Sequence, residues 1–312
     1  MEALSQHPPP DHLLVHLSDT HLLAGGAKLY GKIQSELALS ELMNRLLESN
    51  LRVEAVIFTG DLADRGEPEA YLRLRELIEP LGEQLGAKIV WTMGNHDERE
   101  PFYEILWRET PSIEPFDRVM MLGDLRLIIL DSSVPGYHHG QLSSSQIGWL
   151  EDQLATPARH GTLLALHHPP IPTPIELMGL IELEDQASLA GVIRNTDVRA
   201  IMAGHLHYST FSTFAGVPVS VSAASCYNID LIAKSSRMLS ANASATAASL
   251  VHVYPDQVVF SQISMDKSKE ITSFDSRYLD QIKSMSTQER REMFSNKASE
   301  FNRRADIEQS GF

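Results

Sequence analysis

One cysteine, Cys226, stands in 312 residues, which excludes an internal disulfide framework and any thiolate-built zinc or iron–sulfur site. Basic residues are also scarce: 26 Lys and Arg face 41 Asp and Glu, a formal net charge of −15 with His neutral. A surface of that sign repels the phosphate backbone, so no long nucleic acid is expected as a partner. No apolar run approaches the ~18 residues of a membrane span. The N-terminal MEALSQHPPPDH lacks the basic and apolar blocks of a secretory signal, and the expected address is the cytoplasm. What the chain does have is 43% hydrophobic residues, enough for one large core or two smaller ones, and 13 histidines, the side chain that serves both as metal ligand and as proton donor.

Short apolar runs rich in β-branched residues predict strands at 13–17, 55–59, 88–93, 125–130, 162–166, 198–202, 217–221, 250–254 and 257–263. Helical periodicity predicts helices over 33–49, with Leu37, Leu42, Leu46 and Leu47 near one face, and over 67–85. Strands alternating with helices give an α/β domain with later antiparallel pairs. The proline-rich stretch 166–184 reads as a long connection walling an active site, and the Ser/Ala-rich stretch 235–249 as a mobile excursion. The domain expected over 1–264 carries the whole net charge. The extension 265–312 is neutral, with nine basic and nine acidic residues, and Ser286 with Glu289 matches a capping box inside it. It is expected to be partly helical or flexible, and open to a membrane surface or a partner, which would make the protein peripherally membrane-associated.

Five polar blocks each follow a predicted strand: Ser18-Asp19-Thr20-His21, Gly60-Asp61-Leu62-Ala63-Asp64, Gly94-Asn95-His96-Asp97, His167-His168-Pro169-Pro170 and Gly204-His205-Leu206-His207. In open α/β sheets ligands bind beyond the carboxyl ends of strands, so these blocks converge. Asp19 and His21 are two apart, as are His205 and His207, and alternate residues of extended chain point to one side. The candidate ligands are Asp19, His21, Asp61, Asn95, His167, His205 and His207. Seven is too many for one tetrahedral zinc and suits two ions sharing a carboxylate. Imidazole and oxygen donors without thiolate favour Fe, Mn, Zn, Co or Ni. Gly60, Gly94 and Gly204 precede ligands where backbone approaches closely.

The five blocks, in this order and with 42 residues from Asp19 to Asp61 and 34 more to Asn95, resemble the calcineurin-like metallophosphoesterases. LSDTHL, FTGDLADRGEPEAY, MGNHDER, LDSSVPGYHHGQL, LALHHPPIP and MAGHLHYS are similar, more narrowly, to the actinobacterial class III cyclic nucleotide phosphodiesterases, over roughly four fifths of the chain. The resemblance implies a sandwich of two facing mixed β-sheets flanked by helices, with a dimetal site at the strand ends. It implies one ion on Asp19, His21, Asp61 and His207 and another on Asp61, Asn95, His167 and His205, the ions being Fe, Mn or Zn. A hydroxide between them would attack phosphorus, His96 would protonate the leaving ribose oxygen, and Asp64 would orient His96. Asn95, His96 and His138 would contact the substrate, a small cyclic nucleotide, with 3′,5′-cyclic AMP leading. The competing substrates are 2′,3′-cyclic nucleotides, other small phosphodiesters and diphosphates, and a non-catalytic scaffold of the same fold is the remote alternative. Homodimerisation is left open, without an interface signature. From the residues alone, Asp97 reads as fixing a turn, His168 as a supporting or solvated group, and Cys226 as buried packing.

Overall fold

Thirteen strands are present in the described residues of the structure, a computed structural model that describes residues 6–266, 270, 271, 273 and 278–303. They are β1 (His12–Leu17), β2 (Ala55–Thr59), β3 (Lys88–Thr92), β4 (Arg118–Leu122), β5 (Leu125–Leu130), β6 (Thr162–Leu166), β7 (Val198–Ala203), β8 (Thr210–Phe214), β9 (Val217–Val221), β10 (Asn228–Ile229), β11 (Ala241–Asn242), β12 (Ala247–Val253) and β13 (Val258–Ser264). One sheet runs β13-β12-β1-β2-β3 and another β4-β5-β6-β7-β9-β8, with β10-β11 a small separate pair. Both large sheets are mixed. β1, β2 and β3 are parallel and β12 and β13 antiparallel to their neighbours, while β5, β6, β7 and β9 are parallel and β4 and β8 antiparallel edges.

Period-two alternation builds the layers. Leu127, Leu163, Ala165, Ala200 and Met202 of the second sheet share a buried cluster with Leu14, Val56 and Val251 of the first. Their alternates Ile128, Leu164, Leu166, Ile201 and Ala203 turn the other way, onto Leu150, Leu154, Leu189 and Ile193. Those last four belong to the helices Ser144–Leu154 and Gln186–Ile193. The first sheet's outer face is covered by α1 (Ser35–Ser49), which buries Leu39, Leu42, Met43 and Leu46, and by α2 (Pro68–Leu85), which buries Tyr71, Leu74 and Ile78. Four layers result, the architecture the sequence resemblance implies.

Several expectations shift. Leu37 lies off the buried face of α1 and is exposed. The Ser/Ala-rich stretch is no single excursion, because β11 lies within it and Ala247 to Ser249 already belong to β12. Residues Pro10–Asp266 form one compact unit, and the described residues beyond Asp266 belong to another. In the latter, Tyr278–Ser284 is helical, and Ser286 Oγ accepts from Glu289 N–H while the Glu289 carboxylate accepts from Ser286 N–H, completing the expected capping box. Residues 267–269, 272, 274–277 and 304–312 of the expected extension lie outside the described residues. No helix among the described residues is long and apolar enough to cross a membrane.

Candidate metal centre

Parallel pairing aligns the carboxyl ends of β1, β2 and β3, which places Asp19, His21, Asp61 and Asn95 along one sheet edge. The carboxyl ends of β6 and β7 bring His167, His205 and His207 to the facing edge. Asp19, His21, Asp61, His167, His205 and His207 gather there, and Asn95 follows the end of β3. Donor atoms of Asp19, His21, Asp61 and His207 lie within 4.8 Å of one another. On the other side of Asp61, His167 Nε2 is 3.2 Å from Asp61 Oδ2, and the His167 and His205 rings are 5.1 Å apart. Asp61 faces both groups.

The backbone here is unusual. Asp19, His21, Asp61, His205 and His207 all have positive φ, between 44° and 71°, where a side chain is ordinarily disfavoured. Strain of this kind persists where surrounding structure imposes it, and it clusters at functional sites. The packing leaves no slack: a Cβ on Gly204 would meet Ser18 Oγ at 1.8 Å, and one on Gly94 would meet Asp61 Oδ1 at 2.3 Å. Asp19 accepts the His205 N–H at 3.1 Å and Asp61 accepts the His96 N–H at 2.9 Å, tying side-chain oxygens to neighbouring loops.

The second nitrogen of each candidate imidazole decides what the first can do. His167 Nδ1 donates to Thr59 O at 2.7 Å and His207 Nδ1 to Tyr227 O at 3.3 Å. His21 Nδ1 donates to the Asp64 carboxylate at 3.0 Å. Carbonyl and carboxylate oxygens only accept, so in the neutral form of each of these rings it is Nε2 that carries the lone pair. His205 is reversed: its Nε2 donates to Ile181 O at 2.9 Å and leaves Nδ1 bare. The Nε2 atoms of His21 and His207 face each other at 3.2 Å, a separation at which the pair can share one proton or would hold one cation. Asn95 Oδ1 is a buried polar atom without a hydrogen-bond partner, and buried His167 Nε2 has only the Asp61 carboxylate near it, at 3.2 Å. Charge agrees. Burial opposes protonation of His167, yet Asp61 above all pushes it up to about 9. Burial, helped by His167, holds His205 at about 3, so that ring stays neutral. A carboxylate pair that draws protons onto adjacent imidazoles is an environment made for positive charge, and the donor set fits the two ions that the resemblance implies.

The surrounding groups differ in part from expectation. His96 Nδ1 donates to the backbone carbonyl of Asp64 at 2.8 Å, not to its carboxylate, which is engaged with His21. Asp64 therefore orients His96 through its main chain and His21 through its side chain. The His96 ring lies 4.8 Å from that of His21 and 5.1 Å from that of His138, and Asn95 Nδ2 donates to His138 Nδ1 at 2.9 Å. Asp97 fixes the turn as read: it accepts from the N–H groups of Leu62, Ala63 and Gly94 and from the Tyr71 hydroxyl. His168 is fully buried and not solvated; its Nδ1 meets Ser132 Oγ at 2.8 Å and its Nε2 donates to His138 O at 3.1 Å, bracing the loop that presents His138. The connection 169–184 joins that loop through Gly140 N–H to Glu182 O at 3.0 Å. Cys226 is buried against Leu29 and Ala224. The carbonyls of Thr59, Ile181 and Tyr227 escape a sequence reading, since every residue type offers one.

Known proteins resemble this chain in sequence and in fold. The sequence profile of the calcineurin-like phosphoesterases matches residues 12–209. A cAMP/cGMP dual specificity phosphodiesterase of Mycobacterium tuberculosis is 52% identical over 270 residues, 86% of this chain and 85% of that protein. A glycerophosphodiester phosphodiesterase of Enterobacter lignolyticus is 31% identical, over 67% of this chain and 77% of its own. The crystal structure of a dimetal phosphatase from Danio rerio superposes with a TM-score of 0.59 at 14% identity, covering 83% of this chain and 98% of that one, which speaks to the fold. A matched profile across most of the domain and five ordered blocks meeting at one sheet junction make the chain a member of the calcineurin-like phosphoesterase family.

Proposed function

We propose that the protein is a dimetal phosphodiesterase of small cyclic nucleotides, hydrolysing 3′,5′-cyclic AMP to the 5′-monophosphate. The observation that carries this reading is the grouping of Asp19, His21, Asp61 and His207 on one side and of His167 and His205 on the other, the two meeting at Asp61, with His96 and His138 beside them. In this reading Asp19, His21, Asp61 and His207 hold one ion and Asp61, Asn95, His167 and His205 the other. Fe, Mn and Zn all suit the donors. Bound ions supply Lewis acidity and lower the pKa of water toward neutrality.

The protein's own groups do the rest. His96, its Nδ1–H fixed by the Asp64 carbonyl, keeps Nε2 for the substrate and delivers a proton to the departing ribose oxygen. Asn95 and His138, joined by their hydrogen bond, contact the phosphate. The identity of 52% to a cAMP/cGMP phosphodiesterase supports a cyclic nucleotide as substrate. The glycerophosphodiester relative supports a second reading, other small phosphodiesters in the same centre. All seven donors lie within the domain expected over 1–264. Initial rates with metal-loaded protein on 3′,5′-cyclic AMP, 3′,5′-cyclic GMP, 2′,3′-cyclic AMP and glycerophosphodiesters decide between the readings. His96→Ala is expected to lower kcat about 10² to 10⁴-fold with metal content intact. Undiminished turnover removes the proton-donor role.

A further inference from the structure

Beside the metal centre, two tyrosines occupy positions that the hydrolytic chemistry leaves unused. Tyr227 lies with its ring 4.3 Å from that of His207, tilted by 33°, while its carbonyl holds His207 Nδ1. Tyr30 meets Tyr227 edge-on, centroids 5.6 Å apart at 65°, with the two hydroxyls 3.5 Å apart. Together they form a corner of aromatic faces one ring away from a proposed metal ligand.

Tyr30 is 69% exposed, an apolar ring held in water. It is also at φ +51°, a conformation disfavoured for a bulky side chain, followed by Gly31 at φ +70°. The loop that imposes this is not loose. Leu29 and Ile33 exchange backbone hydrogen bonds at 3.0 Å. Leu29 is buried with Ala224 and Cys226, and Leu23, Ile33 and Tyr227 pack against that cluster. Folding thus fixes both flanks of a tight turn, closed by Lys32 N–H donating to Leu29 O at 3.0 Å, whose two positive-φ central residues are Tyr30 and Gly31, and leaves the ring of Tyr30 facing solvent. A preorganised flat surface of this kind binds another flat surface without further loss of entropy.

We propose that Tyr30 and Tyr227 form the nucleobase subsite of this centre, an inference that rests on the cyclic nucleotide reading and names how the base is held. A cyclic nucleotide with its phosphate at the metals carries its base one ribose away, and the Tyr227 ring lies 4.3 Å from that of His207 with Tyr30 5.6 Å from Tyr227. Ring faces hold any flat heteroaromatic, because every base has a π-face, so the subsite accepts adenine and guanine alike. Discrimination between substrates is then between diesters that carry a base and those that do not.

The test compares kcat/KM for 3′,5′-cyclic AMP with that for 3′,5′-cyclic ribose phosphate lacking a base, using the full-length metal-loaded protein. Tyr30→Ala is expected to lower the ratio of the two about tenfold, through KM, as loss of one base–aromatic stack predicts. Tyr30→Phe keeps the ring and should restore the ratio. An unchanged ratio in Tyr30→Ala, with a wild type active on cyclic AMP, overturns the subsite while sparing the function. Equal losses on both substrates also overturn it, by making Tyr30 a support of the metal centre. A wild type inactive on any cyclic nucleotide overturns both.

Discussion

Replacing Asp97 with Ala tests whether the two loops that carry Asp61 and Asn95 are held by one buried carboxylate. Asp97 is 7% exposed and accepts from Leu62 N–H and Ala63 N–H at 3.1 Å, and from Gly94 N–H and the Tyr71 hydroxyl at 2.9 Å. Truncation strands four buried donors. Each costs roughly 1 to 3 kcal/mol when left unsatisfied, so four would cost roughly 4 to 12. Water entering the vacated space recovers part, which favours the lower end: about 4 kcal/mol, a large share of the ~5 to 15 kcal/mol that stabilises a domain. Asp97→Asn keeps one acceptor oxygen and should lose about half as much. Urea unfolding at pH 7.5 under saturating Mn²⁺ gives both values, and the dependence on denaturant should stay constant. A loss below ~1 kcal/mol for Asp97→Ala would show that the loops are held by other contacts and would refute this account.

Two further perturbations separate roles that lie close together. Asp64→Ala removes the acceptor of His21 Nδ1 but leaves the main-chain carbonyl under His96, so the ion on the His21 set should bind about 10 to 100-fold more weakly while the other is retained; metal titration followed by elemental analysis would contradict this by finding both ions lost equally. Asp117, away from the metals, has its carboxyl pushed up to about 6 from 3.8 by burial. The folded chain therefore holds this proton more tightly than the unfolded chain, and the resulting stabilisation is complete below 3.8 and lost as pH rises through about 6, worth about 3 kcal/mol. Asp117→Asn should gain on the wild type by that amount between pH 4 and 7, and a difference in unfolding free energy that stays flat with pH would count against it.

The strands were legible where their surroundings are uniform. β2, β5 and β6 are buried along their whole length and read as continuous apolar runs. β4 and β8 were not predicted, because they are edges whose RVMML and TFSTF segments face solvent in part and lack a clean pattern. The helix Ser144–Leu154 carries a readable signal in Ser143 and Gln146, a complete capping box, that a search for apolar periodicity passes over. The seven candidate ligands stand out in the sequence because each follows a strand, and those strands end on facing edges. What the sequence withheld is the means of orientation. Whether Asp64 acts on His96 by carbonyl or carboxylate depends on loop path, and the left-handed φ of five of the candidate ligands has no spelling in Asp and His. The buried setting of His168 likewise arises from the loop folded over it.

The donors come from two sheets, Asp19, His21, Asp61 and Asn95 from one and His167, His205 and His207 from the other. With the proposed ligand sets, metal retention is therefore a readout of how the halves are assembled. Slipping β1 by one residue against β2 would turn Ser18 and Thr20 toward the edge in place of Asp19 and His21. Such a chain would bury a comparable apolar area yet hold ions poorly, so cation affinity discriminates among registers that hydrophobicity alone leaves nearly equal. Substitutions in the strands, far from any reacting atom, should accordingly be felt first as loss of metal and only later as loss of fold.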